Sequence, residues 1–309
     1  MSSAIDGTGN SYAAALVSSI LYGFYLLLAI QCIYGLLTKH GSTSGRNVAL
    51  GYAVLLFIVQ TVYYAAGCRW SAIEFVDASI DPAVFASELS GNLSLLKDTM
   101  YVINIWVADS FLLYRVYIIW SLHYVSLLPF ALYLASLATG IGLLVETGKP
   151  GAVFGQASII NFGTPFWSLS VATNVCATVL IVSRLLYHHG ALRRSTTRNP
   201  ALSGTSPAVI MFVESAALYA VCGIIYIPLF AVDTPVQYPF SALLGGVVSI
   251  APTLIMARMA KGTALTKEWS DIPLVDMPPV AQPAPSQSTE TIPVSGSNME
   301  PNRVLMQLV

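Results

Sequence analysis

Seven separate stretches of this chain are apolar for long enough to cross a lipid bilayer, and no other property of the sequence restricts its fold as much. They run over residues 12–37, 48–66, 99–120, 124–145, 164–187, 208–231 and 238–257. A helix needs about 20 apolar residues to cross roughly 30 Å of hydrocarbon, and each stretch is near that length. The stretches are continuously apolar, whereas a barrel strand alternates apolar and polar residues over about 10 positions, so helices are expected. Only 9% of the 309 residues are charged and 55% are hydrophobic. A soluble domain carries about 25% charged residues, so this chain has too few charges to cover a globule in water. The implied fold class is an all-α membrane protein, a seven-transmembrane-helix bundle over residues 1–258, immersed in the lipid bilayer. Its tightest connection is the third to the fourth span, where Ser121, Leu122 and His123 must make the turn while Arg115 and His123 snorkel to the headgroups.

Cationic segments resist translocation, so Lys and Arg in short loops mark the cytoplasmic side. On one side of the seven spans lie Lys39, Arg46, Arg115, Arg184, Arg193, Arg194, Arg198, Arg258, Lys261 and Lys267; on the other lie Arg69, Lys97 and Lys149. This asymmetry predicts an N-terminus outside and a C-terminus in the cytoplasm. The sequon Asn92-Leu93-Ser94 falls in the long connection after the second span, which this topology places outside, and makes Asn92 a glycosylation candidate. Residues 1–11 contain Asp6 and no Lys or Arg, and the first apolar run exceeds the 7–15-residue core of a signal peptide, so it reads as a retained span. Residues 259–309 are polar and rich in Pro, Ser and Gln. That composition cannot bury enough apolar area to offset the entropy of ordering, and it predicts a disordered cytoplasmic tail. The stretch from Met256 to Trp269 is expected to lie along the membrane surface as a short amphipathic helix.

Ionisable and carboxamide groups inside the apolar runs carry the functional information, because a charge at mid-bilayer costs about 2.5–3.5 kcal/mol even on the lenient insertion scale. Asp109 lies eleven residues before the end of the third span, which at about 1.5 Å per residue sets it near the midplane. Gln60 on the second span and Asn174 on the fifth fall at a similar depth. One buried cluster of the three is expected, either a ligand site with Asp109 as anionic anchor or a structural carboxylate that ties helices together. Nearer the cytoplasm, Arg115 on the third span and Glu214 on the sixth sit at matched depth, which permits a salt bridge that latches the inner side. Arg115 reaching for phosphates and Glu214 facing a polar seam is the bland alternative.

No Cys-x-x-Cys, His-Glu-x-x-His or Walker-type pattern occurs, and nothing in the sequence implies a metal, a cofactor or a catalytic group. His188-His189 reads as an interfacial helix end. Cys32, Cys176 and Cys222 lie inside spans and Cys68 stands alone at the outer end of the second. A net charge of -1 leaves no cationic face for nucleic acid.

The stretch Ala108-Asp109-Ser110-Phe111-Leu112-Leu113-Tyr114-Arg115-Val116-Tyr117-Ile118-Ile119-Trp120 resembles the A-D-x-L-L-x-Y-R-x-Y-x-I-W pattern of an uncharacterised seven-transmembrane family expanded in mushroom-forming (basidiomycete) fungi. It departs by Phe111, where an aliphatic residue is usual. The likeness extends more loosely to Asn174 and to Glu214-Ser215. What it implies is fold and topology, with a plan similar to that of G-protein-coupled receptors. The receptors' own markers, Trp-x-Pro in the sixth helix and Asn-Pro-x-x-Tyr in the seventh, are missing, and no seventh-helix lysine exists for a retinal Schiff base.

Two functional classes follow. A receptor that senses a small-molecule ligand fits the odd span count, the outward N-terminus and a basic inner loop at Arg193, Arg194 and Arg198 that could meet a cytoplasmic signalling protein. A transporter or ion-coupled carrier would use Asp109 and Glu214 along a pathway. An enzyme is least supported, because acid–base chemistry needs paired groups within hydrogen-bond reach and these carboxylates differ in depth. The plasma membrane is the expected location.

Overall fold

A computed structural model of the chain describes residues 2–38, 43–80, 91–120, 123–149, 151–152, 155–195 and 207–270. Seven long helices account for almost all of them: α1 (Ser2–Thr38), α2 (Thr43–Ala72), α3 (Asn92–Trp120), α4 (His123–Thr147), α5 (Ala157–Ser195), α6 (Pro207–Ala231) and α7 (Gln237–Ser270). All seven are long and apolar enough to cross a membrane. Hydrocarbon offers no partner for a backbone N–H or C=O, so a helix, which satisfies these groups within its own segment, is the form an apolar run of this length adopts. The chain therefore has the architecture of a multi-pass integral membrane protein.

Every expected span lies within one helix, and several helices reach well past the apolar run that announced them, α1 from Ser2 and α5 from Ala157 to Ser195 among them. α2 continues through a wide turn, Ile73–Asp77, to Ile80, and α3 starts at Asn92 instead of Thr99. Apolarity marks the part of a helix that meets lipid, and these extensions carry Arg69, Glu74, Asp77, Lys97 and Asp98, which belong outside the hydrocarbon. Asn92 is accordingly the exposed first residue of α3 rather than part of a loop. At the other terminus α7 runs on to Ser270 as one element. The remainder of the tail, from 271 to 309, lies outside the described residues.

Consecutive helices pack on one another and α7 closes the ring on α1, while α3 runs through the middle against α2, α4, α5 and α7. The ring leaves each outer helix a lipid face. On α1, Leu16, Ile20, Phe24, Leu27, Tyr34 and Leu37 are exposed, while Tyr25, Ala29, Cys32 and Leu36 on the opposite stripe are buried. A continuous exposed apolar stripe of this size is incompatible with water and fits acyl chains.

Lipid tails do not drive helices together, so close packing must, and small residues allow it. A Cβ on Gly246 of α7 would stand 2.7 Å from Leu21 Cδ1 and 2.8 Å from Leu21 Cβ on α1; one on Gly23, on the open side of α1, would meet nothing within 4 Å. Overpacking of this kind costs about 1–3 kcal/mol, whereas Gly→Ala at an open helical position gains up to about 1 kcal/mol. Gly246→Ala is thus expected to lower the thermal unfolding temperature of the purified protein and Gly23→Ala to leave it unchanged or raise it. Equal effects of the two substitutions would contradict the α1–α7 packing.

Candidate functional site

The interior is built in three levels. At the end of the bundle where α1, α3, α5 and α7 begin lies a half-open cavity of about 590 Å³. Its wall takes residues from all seven helices, among them Ser11 of α1, Tyr63 of α2, Asp98 of α3, Leu144 of α4, Trp167 of α5, Tyr226 of α6 and Ser241 of α7. This volume falls within the roughly 300–1,000 Å³ of small-molecule sites. Aromatic rings pack along its inner wall, Tyr63 and Tyr101 tilted and the Tyr101–Trp167 and Trp167–Tyr226 pairs face to edge. Tyr101 stands 5.3 Å from Tyr63 and 5.1 Å from Trp167, and Trp167 stands 5.3 Å from Tyr226, centroid to centroid. Tyr101 is held by donating its hydroxyl to the Ser241 carbonyl at 3.0 Å.

Charged groups enter the same cavity from two helix extensions. In the Ile73–Asp77 turn the Ala78 N–H reaches back five residues to the Ile73 carbonyl, the π-type bond that often accompanies functional positions. Glu74, inside that turn, lines the cavity and accepts the Ser11 hydroxyl at 2.7 Å. Asp98, on the second turn of α3, lies in electrostatic reach of the Tyr63, Tyr101 and Tyr226 hydroxyls. Its neighbour Lys97 is drawn onto the Trp70 ring, 4.6 Å from the centroid. Among the described residues the ion pairs are Arg69–Asp77 at 3.3 Å and Glu146–Lys149 at 2.5 Å, so Asp98 has no cationic partner within that range.

The second level sits about one turn deeper and is polar. Asn104 Nδ2 donates to Gln60 Oε1 at 2.9 Å, and the Ser249 hydroxyl lies 2.9 Å from Asn104 Oδ1 and 3.1 Å from Gln60 Oε1. This triad ties α2, α3 and α7 together. Five residues on, about 140° around the same helix, Asp109 faces the other way. It accepts the Ser170 hydroxyl at 2.7 Å, and Ser170 shares a second hydrogen bond of 2.8 Å with the Tyr219 hydroxyl, which joins α3, α5 and α6. Asn174 lines a separate small cavity of about 20 Å³ beside Asp109, with its Oδ1 buried and unpartnered.

The three expected cluster members are therefore divided. Gln60 belongs to the triad, Asp109 and Asn174 belong to the second polar group, and none of the three lines the large cavity. Equal depth placed them together in the sequence, but depth does not determine the side of α3 that a residue faces. Asn104, Ser249, Ser170 and Tyr219 complete both groups; Asn104 lies nearer the start of its run than Asp109, and the hydroxyls carry no charge to mark them. Asp98 lies one residue before the apolar run, where apolarity gives no signal for it. The third level is apolar, with Leu56, Phe111, Val116, Ile181 and Met256 closing the bundle toward its other end.

At that end Arg115 stands over the Phe111 ring, 4.9 Å from its centroid, and Glu214 is exposed. The two are not joined by an ion pair among the described residues. The reason is lateral: α3 packs on α2, α4, α5 and α7 but has no extended contact with α6. Arg184 lies over Trp120 at 5.4 Å, and Trp120 donates its indole N–H to the Leu180 carbonyl at 2.9 Å. The side chains of His188, His189, Arg193 and Arg194, and the whole of Arg198, lie outside the described residues. Among the described residues no group of three or more His, Cys, Asp or Glu is placed to hold a metal ion. No family model matches the chain, and comparison with curated proteins and with solved structures likewise finds no match.

Breaking the triad strands buried polar groups, at about 1–3 kcal/mol for each one left unsatisfied. Asn104→Ala is expected to destabilise the protein by that order. In a double-mutant cycle with Gln60→Ala, the combined loss should be smaller than the sum by at least about 0.5 kcal/mol, the usual floor for residues in one network. Strict additivity would mean that the two side chains do not share a hydrogen bond.

Proposed function

We propose that this chain is a receptor-like seven-helix membrane protein that takes a small ligand into the cavity at the N-terminal end of its bundle. The observation that carries this reading is the form of the cavity: half-open at one end and lined by all seven helices, with the Gln60–Asn104–Ser249 triad and an apolar layer lying deeper in the bundle, outside its wall. A site contacted by every helix converts ligand binding into a change in helix packing, which is what a signal across a membrane requires. A carrier instead needs a path to the opposite face, usually through discontinuous helices around a midplane cavity. The seven helices here run without interruption, and Glu214, the second carboxylate of the carrier reading, lines neither cavity. The excess of Lys and Arg at the far end supports an N-terminus outside, so the cavity would open to the exterior, with the plasma membrane as the natural location. The resemblance of the segment 108–120 to the fungal seven-helix family is in keeping with this plan.

Cys68 is free, exposed and part of the cavity wall, and it provides the test. In a background where Cys32, Cys176 and Cys222 are replaced, a membrane-impermeant maleimide added to intact cells is expected to label Cys68. With Cys68 also replaced and Ala108→Cys introduced beneath the triad, labelling is expected from neither face. Labelling of Cys68 only after permeabilisation would reverse the orientation. Labelling of the cysteine at 108 from the cytoplasmic face would favour a carrier.

A further inference from the structure

The cavity wall has an imbalance of hydrogen-bonding groups that specifies the chemistry of its occupant. We propose that the site binds an organic ammonium ion with an apolar or aromatic body, with Asp98 as its anionic anchor; this deepens, and rests on, the reading of the cavity as a ligand site.

Asp98 is a half-buried carboxylate in the cavity wall whose surroundings supply it with almost no compensation. Its electrostatic partners are Lys97, which leans onto Trp70 and forms no ion pair with it, and the three tyrosine hydroxyls. The Tyr101 hydroxyl is already committed as a donor to Ser241. A carboxylate taken this far from water is costly unless a cation or several donors reach it, and a ligand ammonium supplies both.

A second, independent group points to the same chemistry. Gln237, 2% exposed, lines the cavity at the start of α7. Its Nε2 donates to Asp233 Oδ1 at 2.7 Å, and Asp233 is fixed by the turn that ends α6, in which it adopts a positive φ of 50°. With the amide nitrogen held by Asp233, Oε1 must face elsewhere, and it is buried without a donor. A buried acceptor left without a donor beside the cavity favours an occupant that can donate to it. The two acidic groups, Asp98 and Glu74, outnumber the one basic group, Lys97, that the wall contains.

The aromatic wall completes the match. Tyr63, Tyr101, Trp167 and Tyr226 form a continuous run of rings, whose faces attract a cation and whose area buries an apolar body. An anionic ligand would meet two carboxylates here, and a purely apolar one would leave Asp98 and Gln237 Oε1 unpaired.

Three probes of one size separate the alternatives: phenethylamine, its neutral counterpart 2-phenylethanol, and phenylacetate. Each is added at millimolar concentration to the purified protein, with thermal unfolding and the rate of Cys68 alkylation by maleimide as readouts. Phenethylamine is expected to raise the unfolding temperature and slow alkylation saturably, and the other two to act weakly or not at all. Asp98→Asn should weaken the amine about 10- to 100-fold, the usual loss for a charge-assisted bond, while Asp109→Asn leaves it unchanged. Lys97→Gln, which removes the one competing cation, should tighten it and keeps the proposal open to refutation if Asp98→Asn does not fold. An amine effect that survives Asp98→Asn, or that Lys97→Gln does not strengthen, would overturn the anchor. Equal effects from the alcohol or the acid would overturn the ligand class while leaving the cavity a ligand site. No effect from any probe on either readout would remove both.

Discussion

Polar groups that enter the hydrocarbon must find their partners inside the protein, and α3 is where this bundle meets that requirement. Its two midplane polar residues, Asn104 and Asp109, lie on different sides of the helix. One side is joined to α2 and α7 and the other to α5 and α6. α3 is surrounded by α2, α4, α5 and α7, so both sides face protein rather than lipid. Individual interhelical hydrogen bonds in membranes contribute only about 0.6 kcal/mol on average. Their larger effect is on specificity, because an alternative helix rotation would strand a carboxylate or a carboxamide in lipid at a cost of several kcal/mol.

The position of the cavity follows from that layer. Beneath it the helices close on aliphatic and aromatic side chains, and above it they leave a space lined by rings and a few charges. The helix extensions α2 and α3 make beyond the apolar core bring Glu74, Lys97 and Asp98 to that space, at a depth where water and ligand compete for them. The divided interior gives the two carboxylates different parts. Asp109, 2% exposed and bonded to Ser170, belongs to the framework. Asp98, half-buried and short of donors, remains available to a ligand.

The bundle was legible in the sequence because span length and continuous apolarity are determined by the bilayer, and all seven runs lie within helices. The helix ends were less legible. Arg69, Glu74 and Asp98 read as loop residues when apolarity is the criterion, although an interfacial helix tolerates them. Depth alone marks Asp109 as a buried polar residue, but it does not reveal its partners. Ser170 and Tyr219 are common in membrane helices and carry no charge to mark them, and the angle between Asn104 and Asp109 acquires meaning only once the neighbours of α3 are known. Depth likewise groups Gln60 and Asn174 with Asp109 without showing which side of α3 each one faces. Matched depth permits an Arg115–Glu214 pair, but that pair needs side-by-side packing of α3 and α6, which have no extended contact.

A polar layer at Asn104 separates the cavity from the apolar interior beneath it. The most direct measurement is the accessibility of single nitroxide labels along α3 to a water-soluble nickel chelate, with the protein in lipid nanodiscs. Labels at Lys97 and Val102, above the layer, are expected to collide with the chelate, and a label at Ala108, below it, is expected to be silent. Accessibility that continues unchanged from 97 through 108 would contradict the account.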